Sequence, residues 1–512
     1  MDYIVVDNTE WTYPDRDFSS YLSGSGRLTG ATARNSIVGA QILFRNLPKD
    51  GRLDVALEGL EGEVYGLYPV YVEDNPFLTK ENALEHFPER WAPYLIYDCI
   101  KPFDGAVETT GGVGGLYISL TVGRDAKPGK MTGAVRVQDT RIPVELTVYD
   151  VTAPDETRMR IINGYSRGHV ASYHHVEPDS DAFWQLDTQY LKMLRRMHQN
   201  MLYAPGAEVT ELGDNRYSFT FKGLEAFMEK ALGLGFQYFN LASVGGRKSW
   251  KESTILVHGM PAMSYEAYRY LAQYLPALEG FLAEKGWLDR CYMGVSDEPN
   301  AENATEFRAL CGLVRKLAPH IRLIDAMSYG NLHGALDVWV PLNSEYQEHR
   351  AEIETFREGG DEIWHYVCCG PRKDGYINRF MDLPLLATRY LFWGNYKYDL
   401  KGYLHWASNH YQPGQDPFKQ NCPIHHNADS VTTLPSGDTH LIYPGADGPW
   451  MSMRLEAQRE SAEDYELLKL LEEKDKAAAD AICDSVFTSF NQVDYDPNHF
   501  KAARERLLKA LS

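Results

Sequence analysis

Apolar and polar positions along this chain change rhythm near residue 150. Before that point they alternate in period two between turns, as half-buried strands do. The stretches 64–72, 116–122 and 141–148 are examples, and Ala126-Lys127-Pro128-Gly129-Lys130 reads as a turn between strands. Residues 1–152 are therefore expected to form an antiparallel β-sandwich domain. Val151-Thr152-Ala153-Pro154 reads as a linker.

Beyond the linker, short apolar runs alternate with amphipathic helical patterns. The runs at 159–163, 200–203, 237–242, 291–296, 322–327, 337–342, 362–368 and 402–407 read as eight strands. Between them, 181–198 carries Tyr190, Leu194 and Met197 on one side, and 300–320 carries Ala304, Phe307, Cys311 and Val314. Further helices are expected at 222–234 and 264–285, the second kinked at Pro276. Only the fifth connection, around Asn331 to Ala335, is too short for a full helix. This α/β alternation predicts a (β/α)8 barrel over residues 156–475, closed by a helix at 451–471. A C-terminal helical tail, 476–512, is expected to follow. The irregular stretch 416–439 reads as a lid or a packed surface loop.

A length of 512 residues agrees with more than one domain. The net charge of −20 argues against a nucleic-acid partner and against an anionic membrane surface. No run approaches the ~20 apolar residues of a membrane span. Met1-Asp2-Tyr3 lacks a basic segment and Ile4-Val5-Val6 is too short for a signal core, so a cytoplasmic protein is expected. Seven cysteines, Cys99, Cys291, Cys311, Cys368, Cys369, Cys422 and Cys483, form no C-x-x-C pair, and reduced thiols are expected. The pairs His174-His175 and His425-His426 lack metal-ligand spacing, so no metal and no cofactor is expected. Gly111-Gly112-Val113-Gly114-Gly115 leads into a strand, whereas a phosphate cradle needs a following helix.

The chemistry concentrates where the fourth predicted strand ends, at Gly294-Val295-Ser296-Asp297-Glu298-Pro299. Pro299 forces the chain out of the strand, so two adjacent carboxylates sit at a strand's C-terminal edge, where parallel α/β folds place their sites. A helix-capping role is the alternative for either residue. Other polar and aromatic residues follow the neighbouring strands: Asn163, Tyr165 and Arg167; Asn240 and Ser243; Ser328 and Tyr329; Asn343, Glu345 and Tyr346; His365; and Trp406 and Asn409. Together they describe a carbohydrate pocket, with Trp406 as the apolar floor under a sugar ring. Glycosidases that use two protein carboxylates hold them about 5–5.5 Å apart when retaining and about 6.5–9.5 Å apart when inverting. Consecutive residues are awkward for a nucleophile opposed to an acid. They suit the substrate-assisted alternative, in which one carboxylic acid protonates the leaving oxygen. The other carboxylate orients an N-acetyl group whose own oxygen attacks the anomeric carbon.

That strand end, Gly402-Tyr403-Leu404-His405-Trp406, Leu441-Ile442-Tyr443-Pro444-Gly445, Ser452-Met453-Arg454-Leu455-Glu456 and Arg459-Glu460-Ser461-Ala462-Glu463-Asp464-Tyr465-Glu466 carry a family likeness. On these stretches the chain resembles glycoside hydrolase family 123, the β-N-acetylgalactosaminidases, and Lys127-Pro128-Gly129 fits that family's N-terminal sandwich. The resemblance implies a sandwich plus barrel and no cofactor, with Asp297 stabilising the acetamido group and Glu298 as acid/base. The expected activity is retaining, exo-acting release of terminal β-linked N-acetylgalactosamine from a glycan or oligosaccharide. A barrel hydrolase for N-acetylglucosamine or a non-acetylated hexose, and a non-catalytic carbohydrate-binding protein, are the alternatives. The sequence leaves the oligomeric state open.

Overall fold

A computed structural model describes residues 1–48, 50–249, 252–327, 330–427 and 430–512. Its N-terminal part is two sheets built from the period-two segments. The predicted strands at 64–72, 116–122 and 141–148 appear as Gly62–Val72, Val113–Val122 and Thr140–Thr152. Residues Ile42, Leu116, Ile118, Leu120, Val135, Ile142 and Leu146 interleave between the two sheets as one buried cluster. The glycine-rich segment does enter a strand, Val113–Val122.

One of these sheets is not purely N-terminal. Its seven strands end with Gly448–Ser452, which pairs onto Tyr94–Pro102 in the register Met451↔Ile100, and Tyr443–Gly445, which pairs onto Gly448–Ser452. The other sheet has four strands, and in it Leu28–Arg34 runs parallel to Thr140–Thr152.

The eight apolar runs all become parallel strand segments. They are Arg160–Asn163, Met201–Tyr203, Tyr238–Leu241, Cys291–Met293, Arg322–Met327, Val338–Pro341, the seventh split into Glu362–Ile363 and His365–Tyr366, and Gly402–His405. Strands two to six and the first half of strand seven form a six-stranded sheet; the second half of strand seven, strand eight and strand one form a three-stranded sheet. Strand seven therefore belongs to both. Every strand sends a side chain into one central cluster: Ile162, Met201, Tyr238, Tyr292, Ile324, Val338, Tyr366 and Leu404.

Strands one and two lie in different sheets, and two carboxamides do the work of a ladder between them. Asn200 Oδ1 accepts from Ile161 N–H at 3.0 Å while its Nδ2 donates to the Met159 carbonyl at 2.9 Å. Gln199 treats Asn163 the same way, Oε1 accepting from its N–H and Nε2 donating to its carbonyl, both at 3.1 Å. Each amide mimics a peptide edge, so buried main-chain groups stay paired without strand–strand bonds.

The helices follow the predicted faces. Asp181–Arg196 is N-capped by Ser180 and buries Tyr190 and Leu194. Ala304–Leu317 buries Ala304, Phe307, Cys311 and Val314. Tyr265–Lys285 continues as one helix through Pro276. The stretch 416–439 is mostly packed: Asn421 and Cys422 donate their N–H groups to Glu73 at 2.9 and 2.8 Å, and Asp438 to His440 are buried. Among its described residues only the hairpin of Ile424–Asn427 and Ser430–Thr433 carries exposed large apolar residues, Ile424 and Val431. No helix among the described residues is long and apolar enough to cross a membrane.

The long helix Met453–Asp484, broken in φ/ψ only at Asp475, joins the two parts through buried charge. Arg454 donates to Asp98 from Nη2 at 2.9 Å and from Nε at 3.1 Å. Glu456 receives Arg196 at 2.7 Å, Arg459 at 3.0 Å and the Tyr117 hydroxyl at 3.0 Å. Arg389 pairs with Glu460 and Asp464, and Arg504 with Glu463 and Asp464. Burial alone would raise the Glu456 carboxyl, but Arg459 and Arg196 pull it down to about 2.

The bridging amide gives a stability test. Asn200→Leu strands the Ile161 N–H and the Met159 carbonyl in the core, and is expected to destabilise by about 2–4 kcal/mol. Urea unfolding measures this, and an unchanged midpoint would show that the bridge is dispensable.

Candidate active site

The fourth strand ends in a turn whose backbone is held from several sides. At Gly294 a Cβ would lie 2.5 Å from Ser243 Oγ, which would have to swing aside. Gly294 and Val295 carbonyls accept from Val244 and Gly245 N–H at 3.0 and 2.8 Å. Asp325, on strand five, turns one oxygen toward three successive amides: Val295, Ser296 and Asp297 N–H donate to its Oδ2 at 3.1, 3.0 and 3.3 Å. Glu298 N–H donates to the Ala326 carbonyl at 2.9 Å. Arg247 Nη2 donates to both the Asp297 and the Glu298 carbonyls at 2.9 Å.

These bonds hold a costly conformation. Asp297 and Glu298 have φ of 57° and 41°, consecutive left-handed residues with side chains. Such a conformation costs roughly 1–2 kcal/mol per residue, and strain of this kind gathers at functional sites. Here it turns both carboxylates out of the strand instead of letting the chain enter the helix directly. That helix starts only at Ala304, with Asn303 at its N-cap, so neither carboxylate caps it.

Glu298 Oε1 accepts from the Tyr366 hydroxyl at 2.7 Å. Burial, then the Glu298 charge, pushes the Tyr366 phenol well up, so it stays a donor. Asp297 is open to solvent yet densely walled, as in a cleft. Burial of its carboxyl and then the Glu298 charge push it up to about 6, with Arg247 opposing. Tyr203, 41% exposed, lines the same cleft; its phenol is raised by burial, then by Asp297 and Asp325, with Asn240 opposing the rise. Asn240 Oδ1 has no hydrogen-bond partner among the described residues.

A second wall is built from strand eight and the 416–439 stretch. Trp406 Nε1 donates to Asp438 Oδ2 at 3.2 Å, and His405 Nε2 lies 3.2 Å from Asp438 Oδ1. Burial and then Cys369 push the Asp438 carboxyl up to about 8, while burial drives His405 well down, so at neutral pH the pair is mostly uncharged. Cys368 lies within electrostatic reach of both Glu298 and Asp438.

Of the expected site residues, Asp297, Glu298 and Asn240 lie on the first wall and Trp406 on the second. Asn163 and His365 lie on neither, and strand alternation is the reason. Ile162, Trp364 and Tyr366 face the central cluster, so their neighbours face away. His365 is buried against Asn395 Oδ1 at 2.8 Å, and Asn163 Oδ1 receives Arg379 Nη1 at 2.9 Å. Tyr346 lies on the helix Asn343–Glu348, fully buried, with its hydroxyl on Glu354 at 2.6 Å. Asn343, also fully buried, donates to the Ile377 carbonyl, and Glu345 pairs with His349 at 3.5 Å. Helical periodicity governs these three because the chain enters a helix at once after strand six. Tyr165 and Arg167 converge on Asp187 at 2.7 and 3.3 Å, and Asn409 exchanges bonds with the Ser166 backbone. Ser328 and Tyr329 lie outside the described residues.

The residues not anticipated are Tyr203, Arg247, Asp325, Tyr366 and Asp438. Tyr366 was readable from period two once Trp364 was set inward. Asp325, an acid inside the apolar run Leu323-Ile324-Asp325-Ala326-Met327, was a visible anomaly. Arg247 and Asp438 sit in irregular segments and left no pattern.

A protein-family model described as "Glycoside hydrolase 123, catalytic domain" matches residues 166–471. Among solved structures, a family 123 glycoside hydrolase from Clostridium perfringens, described in terms of glycolipid glycan hydrolysis, superposes with a TM-score of 0.77 at 14% identity, covering 100% of this chain and 97% of that one. A family 39 glycoside hydrolase from the gut symbiont Bacteroides cellulosilyticus WH2 gives a TM-score of 0.39 at 11% identity, covering 86% and 82%. No curated protein sequence matches the chain.

The raised Asp297 carboxyl makes a pH-dependent prediction that needs no substrate. A folded value above the unfolded one penalises the folded state wherever the group is ionised, here above about pH 6, and not below the ordinary 3.8. Asp297→Asn should therefore raise the melting temperature at pH 8 and leave it unchanged at acid pH. Equal effects at both would mean that Asp297 carries no such penalty.

Proposed function

The chain belongs to glycoside hydrolase family 123, and on that premise we propose that it is a retaining, exo-acting β-N-acetylgalactosaminidase using substrate-assisted catalysis. One observation carries this reading. Asp297 and Glu298 are the carboxylates presented to the cleft, whereas the nearby carboxyls are turned away from it, Asp325 held by three amides and Asp438 fully buried with the Trp406 indole N–H on its Oδ2. An opposed protein nucleophile is thus lacking among the described residues, and the N-acetyl oxygen of the substrate takes that role. We also read the eight strands as a (β/α)8 barrel whose ladder is interrupted between strands one and two, a reading supported by their common central cluster.

In this mechanism Tyr366 fixes Glu298 Oε1, which leaves Oε2 to hand its proton to the leaving oxygen. The sugar's acetamido oxygen then closes on the anomeric carbon and forms an oxazolinium ring. Asp297, ionised, accepts from the acetamido N–H and offsets the charge growing on that ring, an attraction of up to about 4 kcal/mol at 4 Å and an effective dielectric of 20. Protonation of Glu298 removes the second cause of the raised Asp297 carboxyl, so the acid form of one favours the ionised form of the other. Water later opens the ring with Glu298 as base, which retains the anomeric configuration. Trp406 is read as the apolar floor beneath the pyranose.

A panel of nitrophenyl glycosides tests the assignment. The β-N-acetylgalactosaminide should be cleaved fastest, and a β-galactoside cleaved at a comparable rate would sink the mechanism. The acid limb of kcat/KM should fall where Asp297 takes up a proton, because Asp297 must be ionised. Glu298→Gln should keep activity on nitrophenyl sugars, which need little protonation. Asp297→Asn should lose activity on all substrates together with that limb, and an Asp297→Asn variant that keeps the limb would assign the titration elsewhere. Trp406→Ala should lower kcat/KM by about tenfold or more, on the order of 1.4 kcal/mol, and no change would place the sugar on another wall.

A further inference from the structure

Two adjacent thiols follow the seventh strand, on the same cleft. Among the seven cysteines only Cys368 and Cys369 are partly exposed; Cys99, Cys291, Cys311, Cys422 and Cys483 are buried. Cys368 lies in the same inward row as Tyr366, two residues on, and packs on the central cluster. The chain folds back just after it, Cys368 N–H donating to the Gly370 carbonyl at 2.8 Å. This turn leaves the two side chains next to each other, and both the Cys368 thiol and the Arg372 guanidinium act on the Cys369 sulfur. Arg372 is itself fixed, its Nε on the Cys369 carbonyl and its guanidinium 3.9 Å from the Phe77 ring centroid.

The environment divides the labour between the sulfurs. The neighbouring Cys368 thiol, helped by Arg372 against burial, pulls Cys369 down to about 6. The same interaction, with burial, holds Cys368 well up as a thiol. A thiolate beside a thiol is the pairing of an attacking and a resolving cysteine. Burial raises the other thiols, which leaves them inert by comparison.

We propose that Cys368 and Cys369 form an oxidation-sensitive modification site that switches the hydrolase off when a peroxide closes them into a vicinal disulfide. The Cys369 thiolate attacks one peroxide oxygen, the O–O bond breaks, and hydroxide leaves and is protonated to water. Cys369 is then a sulfenic acid. Cys368 gives up its proton as its sulfur attacks that of Cys369; the S–O bond breaks, and the departing hydroxide takes the proton as a second water. The two thiols lose two electrons and one peroxide gains them. Neighbouring Cα atoms lie about 3.8 Å apart, short of the usual ~4.4–6.8 Å span of a disulfide, so the bond is strained and easily reduced. Closure also draws on Cys368, which shares its row with Tyr366, and so disturbs the hydroxyl that fixes Glu298.

The experiment treats the full chain with hydrogen peroxide and reads two quantities. Hydrolysis of the nitrophenyl sugar rests on the glycosidase reading; the mass of the proteolytic peptide spanning both cysteines does not. The wild type should lose activity as that peptide loses about 2 Da, and dithiothreitol should reverse both. Cys369→Ser should be inactivated at least about tenfold more slowly, and Cys368→Ser should accumulate a dimedone-reactive sulfenic acid. A wild-type peptide that keeps its mass, or a Cys369→Ser variant as sensitive as the wild type, overturns the proposal. A chain that forms the bond but cleaves no glycoside overturns the functional reading and leaves the site standing.

Discussion

The helix Met453–Asp484 places guanidinium groups and carboxylates where a helix between two packed units would ordinarily carry leucine. Arg454, Glu456, Arg459 and Asp464 are all buried, and each is paired. Removing such charges from water costs several kcal/mol per ion, and the cost is recovered only when geometry and hydrogen bonds are complete. Wrong relative placements of the two halves would leave one of these ions unpaired. The network therefore works less as glue than as a register. It sets the sandwich residues Asp98 and Tyr117 and the helix residue Arg196 against one another at fixed distances. The segment just before the helix inherits that placement, and with it Asp438 and the Trp406 wall.

The same helix shows what was legible in the sequence and what was not. The stretch from Ser452 to Glu466 carried much of the family likeness, yet its charged residues face the sandwich and its neighbours instead of the cleft. The eight strands were readable because apolar runs of the right length alternated with helical faces. The carboxylate pair was readable because Asp297-Glu298-Pro299 stops a strand. Which residue of a strand faces the cleft was harder, since one step of period two exchanges His365 for Tyr366. Tyr346 failed for a related reason: it obeys a helical period where a strand exit was assumed. The ladder between strands one and two gave no sequence sign at all, because Gln199 and Asn200 act through side chains that imitate backbone.

The cleft is acidic, but its charge is rationed. Asp325 spends its lone pairs on backbone amides, and Asp438 sits with a neutral histidine and an indole N–H. Arg247 binds the carbonyls of the carboxylate turn and so stabilises its backbone as well as Asp297. What remains facing solvent is the pair Asp297 and Glu298 among phenols, an amide and an indole. Such a surface repels phosphate and sulfate groups and favours a neutral, hydroxyl-rich ring.

The sharing of one sheet between early and late parts of the chain has a consequence for biosynthesis. Asp98 and Arg454 are 356 residues apart in sequence, yet they sit beside the same strand pairing. At ribosomal speeds of about 5–20 residues per second, the strand Tyr94–Pro102 waits roughly 20–70 s for its partner to emerge. During that interval its edge is an unpaired template on the nascent chain, open to pairing with another copy on the same polysome. Overexpression, which crowds such chains together, should expose this vulnerability before any weakness of the finished protein does.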